Sequence, residues 1–280
     1  MAYDIEQPYG PLVETTLRVV TWNVWARYGP WRDRERAIVA TLADAGPDIV
    51  VLTEAWEPQD DADGQAARLG AALGLPHQVF RGDSAEPVDD ARSGIAVLSR
   101  WPLDRVGDQR LGDQEGWDRG RAVHARVTGP RGPLDVFGVG LGWKLGHSRE
   151  RRQQVRDLGA FVRKTADTAT VTLVCGDFNA APDSDEIRML TGRAEVTAPG
   201  LVFYDAWETA GDGTPGFTWC DDNPWARPVL WPPRRIDYVF SAWPRAGGAG
   251  HPVRCELLGV EPVDGVVPSD HYGVLADVRY

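Results

Sequence analysis

The chain has 280 residues, 42% of them hydrophobic, and a formal charge of −11 from 41 acidic and 30 basic side chains. That length can bury a sizeable core as one domain. The acidic balance argues against non-specific nucleic-acid binding, which rests on many Lys and Arg contacts to phosphates, although a local basic cleft stays open. No apolar run approaches the length of a membrane span, and the first ten residues are polar and acidic, without the basic and apolar regions of a signal peptide. Cys175, Cys220 and Cys255 are odd in number and scattered in spacing, so we expect reduced thiols and a cytoplasmic protein, not a disulfide framework or a zinc site.

Residues 1–16 read as a weakly structured arm before a single domain over 17–280. A strand over 17–24 ends at Asn23, and a Gly/Pro turn over 28–33 follows. Ala37, Ile38, Thr41 and Leu42 recur at a helical period, which predicts a helix over 34–45 stopped by Gly46-Pro47. A buried strand over 48–53 carries Glu54 at its end. The next elements are a helix over 64–73, a strand near 77–80, a polar loop over 81–92 and a core strand over 93–100. Segments 120–127 and 134–141 alternate as a hairpin, and 149–165 is an amphipathic helix with Val155, Leu158 and Val162 inward. The β-branched run over 171–174 predicts a buried strand that stops at Gly176, with Asp177 and Asn179 two apart and able to aim at one spot. Ser184 or Asp183 caps a helix through Leu190, and a short helix lies around 204–209. A Pro- and Trp-rich loop over 221–233 leads to strands over 235–240 and 272–280, the last preceded by Pro268-Ser269-Asp270-His271. Alternating strands and helices predict a layered α/β fold.

Polar residues therefore stand at five strand ends: Asn23, Glu54, Asp177 with Asn179, Asp237, and Asp270 with His271. One such residue is ordinarily a cap or turn. Repeated, they form a set of hard oxygen donors suited to Mg²⁺ or Mn²⁺, and Asp beside His suits acid/base work or stabilisation of a charged transition state.

The ordered motifs Trp-Asn-Val, Leu-Thr-Glu, Gly-Ile-Ala-Val-Leu-Ser-Arg, Gly-Asp-Phe-Asn, Arg-Ile-Asp-Tyr-Val-Phe and Ser-Asp-His-Tyr resemble the endonuclease/exonuclease/phosphatase (DNase I-like) superfamily over nearly the whole chain. The resemblance implies a four-layer α/β (α+β) sandwich, two mixed β-sheets face to face with helices outside, and a site where both sheets end. It implies Glu54 as the main Mg²⁺ ligand, with Asn23 and Asp270 completing the shell. Asp177 would orient or deprotonate the attacking water, and Asn179 would hydrogen-bond the phosphate or that water. His271 would contact the phosphoryl oxygens, and Asp237 would hold His271 in position and favour its protonated form.

Two positions depart from the pattern. Where the family has a phosphate-contacting His or Tyr before Leu, this chain has Gly140-Leu141, in a register supported by Arg151 and Gln154. Losing one preorganised donor costs on the order of 10²–10³-fold in rate. Trp143, Lys144 and His147 are candidates for the gap, against a reading of each as an ordinary loop residue. Trp25 stands where several nucleases have a metal-assisting Asp, which suggests an aromatic wall for an apolar leaving group. Arg121 and Arg235 are candidate phosphate contacts, against the commoner role of surface salt bridges. The expected function is Mg²⁺-dependent hydrolysis of a phosphomonoester or phosphodiester of a small or lipid-like substrate. A DNA or RNA nuclease of the same fold is one alternative. A non-hydrolytic metal-dependent enzyme or a binding protein is another, because Gly140 removes a hydrolytic group.

Overall fold

Along β1 (Thr16–Asn23) successive side chains enter two different cores. Leu17 and Val19 join Ile49, Val51, Val97, Val136 and Val239 between two sheets, whereas Val20 and Trp22 pack outward with Ile38, Leu42 and Leu69. A strand covered on both faces needs apolar residues on each, which β1 supplies at Leu17, Val19, Val20 and Trp22, although Arg18 and Thr21 interrupt the run. The same division recurs at β2 (Ile49–Pro58), where Ile49 and Val51 face inward while Val50 and Leu52 face out.

The computed structural model describes residues 5–59, 64–88, 91–113 and 118–280. Its remaining strands are β3 (His77–Val88), β4 (Ala91–Ser99), β5 (Leu103–Leu111), β6 (Gly120–Gly129), β7 (Gly132–Gly140), β8 (Val171–Asp177), β9 (Phe203–Asp205), β10 (Asp237–Ala242), β11 (Pro252–Leu258) and β12 (Gly273–Arg279). The helices are α1 (Trp31–Ala45), α2 (Gln65–Leu73), α3 (Ser148–Thr165), α4 (Asp185–Leu190) and α5 (Ala206–Ala210). One six-stranded sheet runs β11-β12-β1-β2-β4-β3 and the other β5-β6-β7-β8-β10-β9. Each is mixed, with β1–β2 and β7–β8 parallel and the other pairs antiparallel. Helices α1 and α2 cover the outer face of the first sheet, and α3 and α4 that of the second. The expected four-layer α/β sandwich is thus observed. No helix among the described residues is long and apolar enough to cross a membrane.

The differences from the sequence reading concentrate at sheet margins. Strands β5, β9 and β11 are all edge strands and were not anticipated. The segment 81–92, expected as a polar loop, is mostly β3 running to Val88 and the start of β4 at Ala91, with 89–90 outside the described residues. The helix expected around 204–209 is divided into β9 and α5, the Asp205 side chain accepting from Trp207 N at 2.9 Å as its cap. Ser184 does precede α4, but its hydroxyl donates to the Ala181 carbonyl instead of capping. The segment read as an arm is tied down by Val13 N to Gly247 O and Gly247 N to Tyr9 O, at 2.8 and 2.7 Å.

Strand register places the site. Gly140 pairs with Asp177 across the parallel β7–β8 ladder, and Asp177 pairs with Asp237 across β8–β10. Gly176, just before Asp177, has φ 149°, and a Cβ there would lie 1.8 Å from the Val139 carbonyl oxygen. Only glycine admits that approach.

Candidate active site

The first sheet delivers Asn23 and Glu54 from neighbouring strands. The β2–β4 ladder shifts register between Leu52 and Ala55, and Glu54 sits in this bulge with φ 53°. Trp25 and Asn179 also have positive φ, 53° and 51°. Left-handed non-glycine residues are costly, and here three lie around one site. Asn23 Nδ2 donates to Glu54 Oε1 and to Asp177 Oδ2, both at 3.0 Å, so one carboxamide bridges the ends of the two sheets. Its Oδ1 accepts from Trp25 N at 3.0 Å.

The second sheet delivers Asp177 and Asp237. Asp177 Oδ1 accepts from Asn179 N at 2.8 Å, and Asn179 Nδ2 donates to the Leu141 carbonyl at 3.1 Å. Asp237 Oδ2 meets His271 Nδ1 at 2.8 Å, while its Oδ1 is buried with no hydrogen-bond partner among the described residues. The segment carrying Asp270 and His271 is fastened to β1, because Trp22 Nε1 donates to His271 O and Ser269 Oγ to Asn23 O. Arg34, which the sequence reading did not single out, sets the surrounding loops. Its buried guanidinium donates to the carbonyls of Val24, Trp25, Ala26, Tyr28 and Pro268.

Burial and crowding of like charge decide the electrostatics. Burial, with Asp237 adding to it, raises the Asp177 carboxyl to about 6 against the opposing pull of His271. Burial and Glu54 raise Asp270 to about 6, and burial raises Glu54 as well. Burial opposes the charge on His271, but Asp237, Asp270 and Asp177 outweigh it and hold the imidazolium up to about 10. The site is thus an excess of buried carboxylate around one cation.

These residues open onto a cavity of about 550 Å³ lined by Asn23, Glu54, Asp177, Asn179, Asp270 and His271, with Asp237 behind His271. Trp25, Arg121 and Trp143 also line it; Trp143 stacks on Trp231 with centroids 6.0 Å apart, and Arg121 pairs with Asp108 at 2.7 Å. Lys144 and His147 do not line it. Both turn to Asp118, the lysine as an ion pair and His147 Nδ1 at 3.7 Å. Arg235 is a correction. It is buried in an ion pair with Asp205 at 2.6 Å, its guanidinium over Tyr238, away from the cavity, and its neighbour Arg234 lines the cavity instead. Residues 234–236 precede the regular strand, and a bridge between Trp219 and Arg234 sets their orientation. The space beside Gly140 is open, since a Cβ would meet only Ile95 Cδ1, at 3.8 Å.

The donor set fits a divalent cation. Among the described residues, ligand-type atoms of Asp177, Asp237 and His271 lie within 4.8 Å of one another. That closeness reflects the Asp237–His271 hydrogen bond, and an imidazolium is no metal ligand. Glu54 and Asp270 are better suited: two buried carboxylates, of which Glu54 raises the proton affinity of Asp270, an effect that a bound cation would reverse.

A model of the Endonuclease/Exonuclease/phosphatase family matches residues 20–271. The chain belongs to this family. A relative named "Putative neutral sphingomyelinase" from Caenorhabditis elegans is 27% identical over 215 residues, covering 68% of this chain. The chain spans 46% of that relative's length. An endonuclease/exonuclease/phosphatase from Beutenbergia cavernae superposes with TM-score 0.70 at 25% identity, over 95% of this chain and 72% of the other. D. rerio TDP2 complexed with single-strand DNA product superposes with TM-score 0.71 at 22% identity over 95% of this chain and 100% of the other, which shows a shared fold. Family membership supports a phosphoester-acting hydrolase.

Proposed function

We propose that this chain is a Mg²⁺- or Mn²⁺-dependent phosphoesterase that hydrolyses a phosphoester of a small or lipid-like substrate by attack of water. The observation that carries the reading is the convergence of Asn23, Glu54, Asp177, Asn179, Asp270 and His271, from both sheets, on one open cavity. Glu54 and Asp270 would hold the ion, with Asn23 completing the shell. When bound, it supplies positive charge to the phosphoryl oxygens.

The chain's own groups divide the remaining work. Asp177, with a carboxyl at about 6, is largely ionised near neutral pH yet basic enough to take a proton from water. Hydrogen bonds from Asn23 and the Asn179 amide hold it facing the cavity. Asn179, anchored on Leu141 O, is set to contact the phosphoryl group or that water. His271 has Nδ1 committed to Asp237, which leaves Nε2–H to donate to a phosphoryl oxygen as charge builds there. The aromatic lining of Trp25, Trp143, Trp219 and Trp231 suits an apolar or ring-bearing leaving group. The C. elegans relative's name supports a lipid-like substrate, and the net charge of −11 speaks against a long polyanion.

The test is release of p-nitrophenol from p-nitrophenyl phosphate and bis(p-nitrophenyl) phosphate with Mg²⁺ or Mn²⁺. Turnover of at least one is expected, with loss in Asp177→Ala; absence of turnover of either ester, with short-chain phospholipids included, would overturn the reading.

A further inference from the structure

Gly140 leaves a strand end without a side chain where a phosphate contact belongs, and neither Lys144 nor His147 fills the place. A different cation lines the cavity. Arg234 is held at its backbone by a two-way bridge, Arg234 N to Trp219 O at 2.8 Å and Trp219 N to Arg234 O at 3.0 Å. Thr218 reinforces this hold, accepting at Oγ1 from the amides of Ile236 and Asp237. The Arg234 guanidinium carbon lies 5.3 Å from the Trp219 ring centroid and 5.2 Å from that of Trp231, so two indoles fix its position. Burial lowers its proton affinity, while the charges of Asp177 and Asp237 raise it, which places the guanidinium in the field of the catalytic carboxylates.

The hydrogen bonding of this arginine is unlike that of its buried neighbours. Arg34 is spent on carbonyls, Arg151 on Glu186 and Arg235 on Asp205. Among the described residues Arg234 forms no ion pair, and its Nε is buried with no hydrogen-bond partner. A guanidinium presents five donors in a rigid fork that matches a phosphate. Held unpaired at the wall of a phosphoester cavity, it lacks only the acceptor.

We propose that Arg234 binds the non-bridging phosphoryl oxygens of the substrate, supplying the contact that Gly140 does not. This rests on the phosphoesterase reading above and adds a substrate-binding residue to it. It also gives the indole pair a task beyond packing, because Trp219 and Trp231 hold the fork in place before substrate arrives.

Two measurements test it on the purified chain with Mg²⁺: kcat/KM for bis(p-nitrophenyl) phosphate, and binding of inorganic phosphate by calorimetry. Arg234→Gln is expected to lower kcat/KM by about 10²–10³-fold and to weaken phosphate binding about tenfold or more, with an unchanged melting temperature. Arg234→Lys, which keeps the charge without the fork, should recover part of both. Millimolar guanidinium ion should speed Arg234→Ala and leave the wild type unchanged. If the wild type turns over and Arg234→Gln matches it in both rate and phosphate affinity, the proposal fails while the hydrolytic reading stands. If the wild type is inert yet binds phosphate through Arg234, the hydrolytic reading fails and this contact stands. Should the Gln variant not fold, the Lys variant decides: wild-type rate and affinity would support a point charge only and overturn the fork.

Discussion

Asp177 and Asp237 face each other across the β8–β10 ladder, so register alone sets two carboxylates side by side at the strand ends. Their surroundings then separate them. Asp237 is bound to His271 at 2.8 Å, whereas Asp177 is held by a main-chain amide and the Asn23 carboxamide and stays turned to the cavity. One carboxylate orients an imidazolium and the other is available to water.

Asp177→Asn should lower turnover by about 10²-fold or more, the typical contribution of a positioned base. Because the wild-type carboxylate is buried among like charges, the amide should leave the urea midpoint at pH 8 unchanged or raised. A destabilised variant would mean that Asp177 serves the fold, and wild-type turnover would remove it from the mechanism.

Gly140→His should raise hydrolysis of bis(p-nitrophenyl) phosphate by about tenfold, since it restores one donor of the kind that contributes up to 10²–10³-fold. The backbone there is ordinary, and the nearest atom to the new Cβ is Ile95 Cδ1 at 3.8 Å. Unchanged or lower rates would mean that the space is already used by substrate.

Central strands were legible because both of their faces are buried, as at 17–24, 48–53 and 171–174. Their polar end residues stood out against that apolar background. Edge strands were not. β5 reads Leu-Asp-Arg-Val-Gly-Asp-Gln-Arg-Leu and is largely exposed, so only its single ladder with β6 reveals it. β11 and β9 also have one neighbour each, and β9, although buried at Phe203 and Asp205, is only three residues long. In the site, the acidic residues and His271 were legible from strand ends, whereas the choice of Arg234 over Arg235 was not. It depends on a bridge to Trp219, 15 positions away in sequence, that no local pattern encodes.

Asp135 joins β7 to its surroundings through His124 Nε2 at 2.8 Å and Thr170 Oγ1 at 2.8 Å. Burial raises its carboxyl, but bonds from His124, Thr170 and the Asp167 amide outweigh that and hold it below the usual range. A depressed folded value contributes stability above the unfolded value of about 3.9, and that stability is lost as pH falls through the folded value. Asp135→Asn should cost about 1–3 kcal/mol at pH 7 and flatten the decline of stability below about pH 4. Urea unfolding at both pH values checks this; equal slopes would contradict it.

Gly176→Ala should destabilise by about 3 kcal/mol or more, as strained backbone and a main-chain clash combine. The added Cβ meets Val139 O at 1.8 Å, and the β7–β8 ladder that presents Asp177 must open. A urea midpoint equal to wild type would show that the strand can shift without cost.

Hydrolysis of the best p-nitrophenyl ester, after EDTA stripping and titration with Mg²⁺, tests the central claim most directly when run on wild type beside Glu54→Gln. The site predicts no turnover without the ion, saturable recovery with it, and recovery weakened at least about tenfold in Glu54→Gln, as one carboxylate ligand is lost. Full turnover in EDTA, or identical Mg²⁺ dependence in the two proteins, would contradict it.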